Sequence, residues 1–192
     1  MRAVTYDFTG SVVLITGGGS GIGYGIARAF LDAGATVAIT GRRLERLEQA
    51  LAGYPTERTA AIAAEVSDGP QVTAMVGEVV RRFGRLDVVV SNAAGYETGP
   101  ITDLADESWA ALRATNVDGF FHLAKATLPL LAEVQGTLVA VSSVSGDRAT
   151  GVSRPTTPPR PRSPTSYAPW PWTGAPGAYG SMPLRPPSPS PS

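Results

Sequence analysis

Apolar and polar positions fall in blocks along the first three quarters of the chain, and the period changes from block to block. Val12-Val13-Leu14-Ile15-Thr16 is an unbroken apolar, β-branched run, as expected of a strand buried on both faces of a parallel sheet. An amphipathic stretch follows from Ile22 to Ala33, and Gly34 stops it as a C-terminal cap. Thr36-Val37-Ala38-Ile39-Thr40 predicts a second strand, after which Leu44, Leu47 and Leu51 recur at helical spacing. A third, alanine-rich strand is expected over Thr59 to Val66. Val72, Val76, Val79, Val80 and Phe83 mark a helix closed by Gly84. Leu86 to Val90 predicts a fourth strand and Gly136 to Ser142 a fifth. Between them, Asp106 to Ala132 carries a helical pattern interrupted near Asn116.

Strands alternating with helices at this length imply right-handed crossovers and helices on both faces of an open sheet. The expected fold is therefore α/β, a Rossmann-type doubly wound parallel sheet in the order 3-2-1-4-5, incomplete at its C-terminal side. The alternation stops near Gly151. Of the 17 prolines, 13 lie from Val152 to Ser192, and all sixteen acidic residues lie before Arg148. The last 41 residues carry four arginines and no acid, and they show neither helical nor strand period. Proline removes backbone donors and blocks helices and central strands. The expected division is a folded domain over 1–151 and an extended or disordered segment over 152–192.

Composition narrows the chemistry. Sixteen basic and sixteen acidic side chains give no net charge, which argues against a broadly basic nucleic-acid binder. With no cysteine and one histidine, His122, neither a disulfide framework nor a thiolate or multi-histidine metal site is expected. No apolar run approaches the roughly 20 residues of a membrane span, and no secretory signal is visible, so the expectation is a cytoplasmic protein.

Thr16-Gly17-Gly18-Gly19-Ser20-Gly21-Ile22-Gly23 sits between the first strand and the first helix. Glycines there permit a tight turn and a close backbone approach, and the helix N-terminus presents N–H groups to a pyrophosphate. The spacing G-x-x-x-G-x-G resembles that of the short-chain dehydrogenase/reductase family, classical type. Further matches follow in the family's order. Ser91-Asn92-Ala93-Ala94-Gly95 is similar to N-N-A-G, Asn116-Val117-Asp118-Gly119 to N-V-x-G, and Val141-Ser142-Ser143-Val144-Ser145-Gly146 to V-S-S-x-x-G. The resemblance implies hydride transfer between a nicotinamide and a small carbonyl or alcohol substrate, in proteins that are usually homo-oligomers. It implies cofactor contacts from Thr16, Gly17, Gly19, Ser20, Gly21, Ile22, Gly23, Asn92, Ala93 and Ala94, and catalytic roles for Asn116 and Ser143.

The end of the second strand bears on cofactor choice. An NAD site usually places a carboxylate there for the ribose hydroxyls. Here Gly41 is followed by Arg42 and Arg43, which can pair with a 2′-phosphate. NADP(H) is therefore expected over NAD(H). Glu65-Val66 occupies the family's adenine position, where aspartate usually precedes the valine.

The resemblance also implies a tyrosine as proton carrier, with a lysine four residues on that lowers its pKa. An unaided phenol titrates near 10, about three units above neutrality, or about 4 kcal/mol. The tyrosine slot, 13 residues after Ser143, holds Thr156, and neither Tyr167 nor Tyr179 is followed by a lysine at that spacing. The single lysine, Lys125, and His122 read as helix-surface residues and not as a replacement base. The family's sixth and seventh strands and its substrate-binding helices have no counterpart.

Codon arithmetic suggests why. Fifteen arginines to one lysine indicate GC-rich codons. When the third base of each codon is joined to the first two of the next, Trp170-Pro171 must encode alanine, Trp172-Thr173 aspartate and Met182-Pro183 alanine. Across Trp170 to Pro183 the shifted frame permits A-V-D-W-G-P-R-G-V-R-V-N-A, which is similar to the family's approach to strand six. Across Pro155 to Ser163 it permits Y-N-A-A-K-A-A-V, with tyrosine in slot 156 and lysine in slot 160. One base missing near Ser153 to Pro155 would produce the chain as written. The alternatives are a catalytically dead dinucleotide-binding remnant and a Rossmann body with a genuine proline-rich, partner-binding tail.

Overall fold

The computed structural model describes residues 5–143 and 181–182. Its sheet contains β1 (Val12–Thr16), β2 (Thr36–Gly41), β3 (Thr59–Ala63), β4 (Val88–Ser91) and β5 (Thr137–Ala140), all parallel, plus β6 (Ser181–Met182). The spatial order is β3-β2-β1-β4-β5-β6. Helices α1 (Gly21–Asp32) and α2 (Leu44–Leu51) cover one face. Helices α3 (Gly69–Phe83) and α5 (Gly119–Val134) cover the other, with α4 (Asp106–Arg113) leading into α5.

The apolar run of β1 explains the two-sided burial. Val13 and Ile15 pack with Ala27, Leu31, Leu47 and Leu51, whereas Val12 and Leu14 pack with Val72, Val76, Leu123 and Leu131. Alternate side chains of one strand thus serve both layers. Helix α3 starts where the Asp68 carboxylate accepts the Gln71 N–H at 3.0 Å, and it stops at Gly84, whose φ is +79°. β1 and β4 are joined at their start by Asp87, which accepts the Val12 N–H at 2.9 Å and pairs with Arg85.

Two expectations are corrected and one is sharpened. β3 ends at Ala63 rather than Val66, because the chain turns after Ala64, with Asp68 N–H bonding to Glu65 C=O at 3.1 Å. The break near Asn116 is a π-helical segment over Ala114–Asp118 between α4 and α5, a wider turn that re-aims a side chain without ending the helix. β5 also has an outer neighbour: Ser181 and Met182 pair antiparallel with Val139 and Leu138. The edge of a sheet offers unpaired N–H and C=O groups to any extended segment. The remainder of the expected disordered segment, with Thr156, Tyr167 and Tyr179, lies outside the described residues.

Candidate functional site

The strand order reverses between β1 and β4, and the crevice at the carboxyl ends of these neighbours is where an open α/β sheet binds ligands. The glycine-rich turn rises from β1 there. Gly17 and Gly18 donate to the Thr40 carbonyl at 2.7 and 3.2 Å, which folds the turn back over β2. Gly21 has φ +55° with open space around a notional Cβ, so its backbone and not crowding requires glycine. Gly23 is the opposite case: a Cβ would stand 2.5 Å from Asn92 Nδ2 and against the Gly17 carbonyl. Ser20 begins α1 with no side-chain cap, so the N–H groups of its first turn face the crevice mouth without an intrahelical acceptor.

Thr16 and Asn92 hold this turn in place. Thr16 Oγ1, buried, accepts the Asn92 and Ala93 N–H groups at 2.9 and 3.0 Å and donates to the Val90 carbonyl at 3.4 Å. Asn92 Nδ2 returns bonds to the Thr16 and Gly17 carbonyls at 3.0 and 3.3 Å. Two strand ends remote in sequence are thereby locked together by the Thr16 hydroxyl and the Asn92 side-chain nitrogen.

Asn116 does the same one layer further out. Its Oδ1 accepts the Gly95 N–H at 2.8 Å, and its Nδ2 donates to the Gly95 carbonyl at 2.9 Å. The π-helical turn brings Asn116 over the loop after β4. A small cleft beside it is lined by Thr16, Val66, Ser91, Ala93, Asn116 and Phe120. Ser143 lies three residues beyond β5, exposed. The Val141 N–H bonds to the Ser91 carbonyl at 2.9 Å, which keeps this segment alongside the carboxyl end of β4.

The second strand's end presents Arg42, with an 81% exposed side chain, and Arg43 at the start of α2. Arg42 Nε lies 3.8 Å from Glu65 Oε2. Val66 is buried, so close to Gly119 that a Cβ on the glycine would come 3.0 Å from its Cγ2. Lys125 is exposed, its ammonium 5.8 Å from the Phe121 ring centroid. His122 departs from the expected surface position: it is half-buried, with Nδ1 3.4 Å from the Val66 carbonyl. Sequence reasoning did not single out two contributors. Gly18 admits no Cβ because Ile39 would stand 2.5 Å away, a need the unbroken glycine triplet could have signalled. Gly95 acts through its backbone, which no side-chain pattern reveals.

A doubly wound sheet with a glycine-cradled helix terminus at its switch point defines a dinucleotide-fold protein. Residues 11–154 match the model of the short chain dehydrogenase family, and the chain belongs to that family of oxidoreductases. It is 34% identical over 139 residues to the meso-2,3-butanediol dehydrogenase of Serratia marcescens, covering 72% of this chain and 55% of that protein. It is 37% identical over 144 residues to the L-fucose dehydrogenase of Bos taurus, covering 72% and 51%. The crystal structure of a short-chain dehydrogenase/reductase (glucose/ribitol dehydrogenase) from Brucella melitensis superposes with a TM-score of 0.74 at 31% identity, over 78% of this chain and 63% of that one. The chain spans about half the length of the first two relatives. Membership implies a nicotinamide dinucleotide cofactor. Among the described residues no helix is long and apolar enough to cross a membrane, and no group of acidic or histidine side chains could hold a metal.

Proposed function

We propose that the chain carries the cofactor half of an NADP(H)-dependent short-chain oxidoreductase and that, as written, it does not turn over. When bound, the nicotinamide supplies or accepts the hydride exchanged with a carbonyl or alcohol substrate. The Gly17–Gly23 turn and the first N–H groups of α1 receive the pyrophosphate. Arg42 and Arg43 receive the 2′-phosphate. Glu65 and Val66 flank the adenine, and the backbone of Ala93 and Ala94 lines the far side. The cradle fits such a group: Gly21 has open space beside its backbone, Gly18 and Gly23 let the turn pack closely on Ile39, Gly17 and Asn92, and Thr16 and Asn92 hold it in place.

Asn116 and Ser143 stand in the positions of the catalytic asparagine and serine, but no tyrosine–lysine pair follows Ser143 at the required spacing. General acid–base catalysis is worth roughly 100- to 10,000-fold. One observation carries this reading: the family match ends at residue 154, inside the three residues where codon arithmetic puts a lost base. A second reading, a genuine proline-rich tail, draws support from the pairing of Ser181 and Met182 with β5. The gene's nucleotide sequence in all frames separates the two. Restoring one base near codon 154 is expected to yield a soluble cytoplasmic reductase that oxidises NADPH over a panel of ketones and aldehydes. The 192-residue chain is expected to be inert on that panel. Robust turnover by the 192-residue chain would overturn the reading, since no tyrosine–lysine pair stands at the family's spacing after Ser143.

A further inference from the structure

We propose that Glu65 sets how strongly this site distinguishes nucleotides with a 2′-phosphate from those without, by holding the guanidinium of Arg42. The inference rests on the NADP(H) reading above and names a residue that tunes it. Register brings the two together. Gly41 is paired with Ala63, and the Ala64 N–H still bonds to the Gly41 carbonyl at 3.1 Å, so residues 42 and 65 leave neighbouring strands side by side. Arg42 Nε then lies 3.8 Å from Glu65 Oε2.

The two partners are unequal. Glu65 is anchored: its N–H bonds to Gln71 Oε1 at 3.0 Å, its Oε1 accepts the Ser67 N–H at 3.5 Å, and Gln71 is tied to Asp68 at 2.9 Å. Its side chain is 32% exposed against 81% for Arg42. The carboxylate is therefore the fixed post and the guanidinium the mobile arm. A 2′-phosphate and Glu65 compete for that one arm, and the carboxylate also repels the incoming dianion. A nucleotide with only ribose hydroxyls meets neither effect. The glutamate should weaken binding of 2′-phosphorylated ligands selectively, by the factor an exposed ion pair supports.

The test titrates the full chain, by calorimetry at one low ionic strength, with 2′,5′-ADP and with 5′-AMP, which probe the adenosine end without any turnover. Relative to 5′-AMP, which reads any change at the adenine itself, Glu65→Gln is expected to tighten 2′,5′-ADP about two- to fivefold. In an Arg42→Ala background the same change is expected to lose that selective gain. If Arg42→Ala selectively weakens 2′,5′-ADP while Glu65→Gln leaves the affinity for 2′,5′-ADP relative to 5′-AMP unchanged or lowers it, the role of Glu65 is wrong and the NADP(H) reading stands. A selective gain that survives in the Arg42→Ala background also overturns the inference, because Glu65 then acts without Arg42. If the wild-type chain does not favour 2′,5′-ADP and Arg42→Ala changes both ligands alike, the NADP(H) reading itself fails and takes the inference with it.

Discussion

The side-chain amide of Asn116 and the peptide backbone of Gly95 close a two-bond ring, at 2.8 and 2.9 Å, between a helix and the loop after β4. An asparagine amide offers one donor and one acceptor in the same plane, which matches one residue's C=O and N–H. The π-helical turn at Ala114–Asp118 lets a residue within a continuous helical run reach that backbone. A proposed catalytic residue thus also acts as a fastener of the loop beneath it.

Asn116→Ala should cost about 1–2 kcal/mol in denaturant unfolding, two modest hydrogen bonds at a solvent-exposed position. Asn116→Asp keeps the acceptor for the Gly95 N–H and loses the donor to its C=O, and should fall between wild type and alanine. Equal stability of all three proteins in urea titrations would mean that the ring contributes nothing in solution.

Thr16→Val should be more damaging, although nearly isosteric. Thr16 Oγ1 accepts from the N–H groups of both Asn92 and Ala93 in a buried position. Removing it strands two donors and should cost about 1–3 kcal/mol, whereas Thr16→Ser should recover most of that. Chemical denaturation of the three proteins makes the comparison.

Gly23→Ala should abolish or cut nucleotide affinity at least tenfold, with a stability loss of about 1–3 kcal/mol from overpacking. The added methyl meets Asn92 Nδ2 at 2.5 Å and the backbone of Gly17, so it disturbs the turn and its clamp together. Gly25→Ala, where nothing lies within 4 Å of a Cβ, is the control and should bind as wild type does.

Arg42→Asp should weaken NADPH roughly tenfold or more, as expected when a charged hydrogen-bond partner is lost, and NADH much less. Equal losses in fluorescence titrations with the two cofactors would show that Arg42 does not meet the 2′-phosphate.

Asp68 provides a pH dependence. The Gln71 backbone N–H and then the Gln71 side chain bond to its carboxylate and hold its pKa below the ordinary 3.8. The folded form thus favours the ionised cap more than the unfolded chain does. Its contribution is present above the unfolded value of 3.8 and is lost as pH falls through the lower folded value. The stability difference between wild type and Asp68→Ala should therefore be constant near neutrality and shrink below pH 3.8. A difference that grows on acidification would contradict the assignment.

Val12–Thr16, Thr36–Thr40 and the leucines of α2 were legible as strand, strand and helix because burial on a face is written in each residue's own polarity and repeats at the period of the backbone. The glycine turn, the order of the motifs and the threonine standing in the family's tyrosine slot were likewise local facts of the sequence. Only the tertiary structure decided what those residues touch. Thr16 and Asn92 read as cofactor contacts, and they grip one another across 76 positions. Asn116 read as a catalytic residue at a helix interruption, and its side chain fastens Gly95. Arg42 read as a partner for a 2′-phosphate, and Glu65 stands beside it because Gly41 and Ala63 are in register. The pairing of Ser181 and Met182 with β5 had no periodic signal, since two residues make no period and an edge accepts backbone regardless of side chain. Hydrogen bonds between distant backbones follow from strand order and register, which are properties of the assembled sheet, whereas the hydrophobic pattern of each strand is complete before the sheet exists.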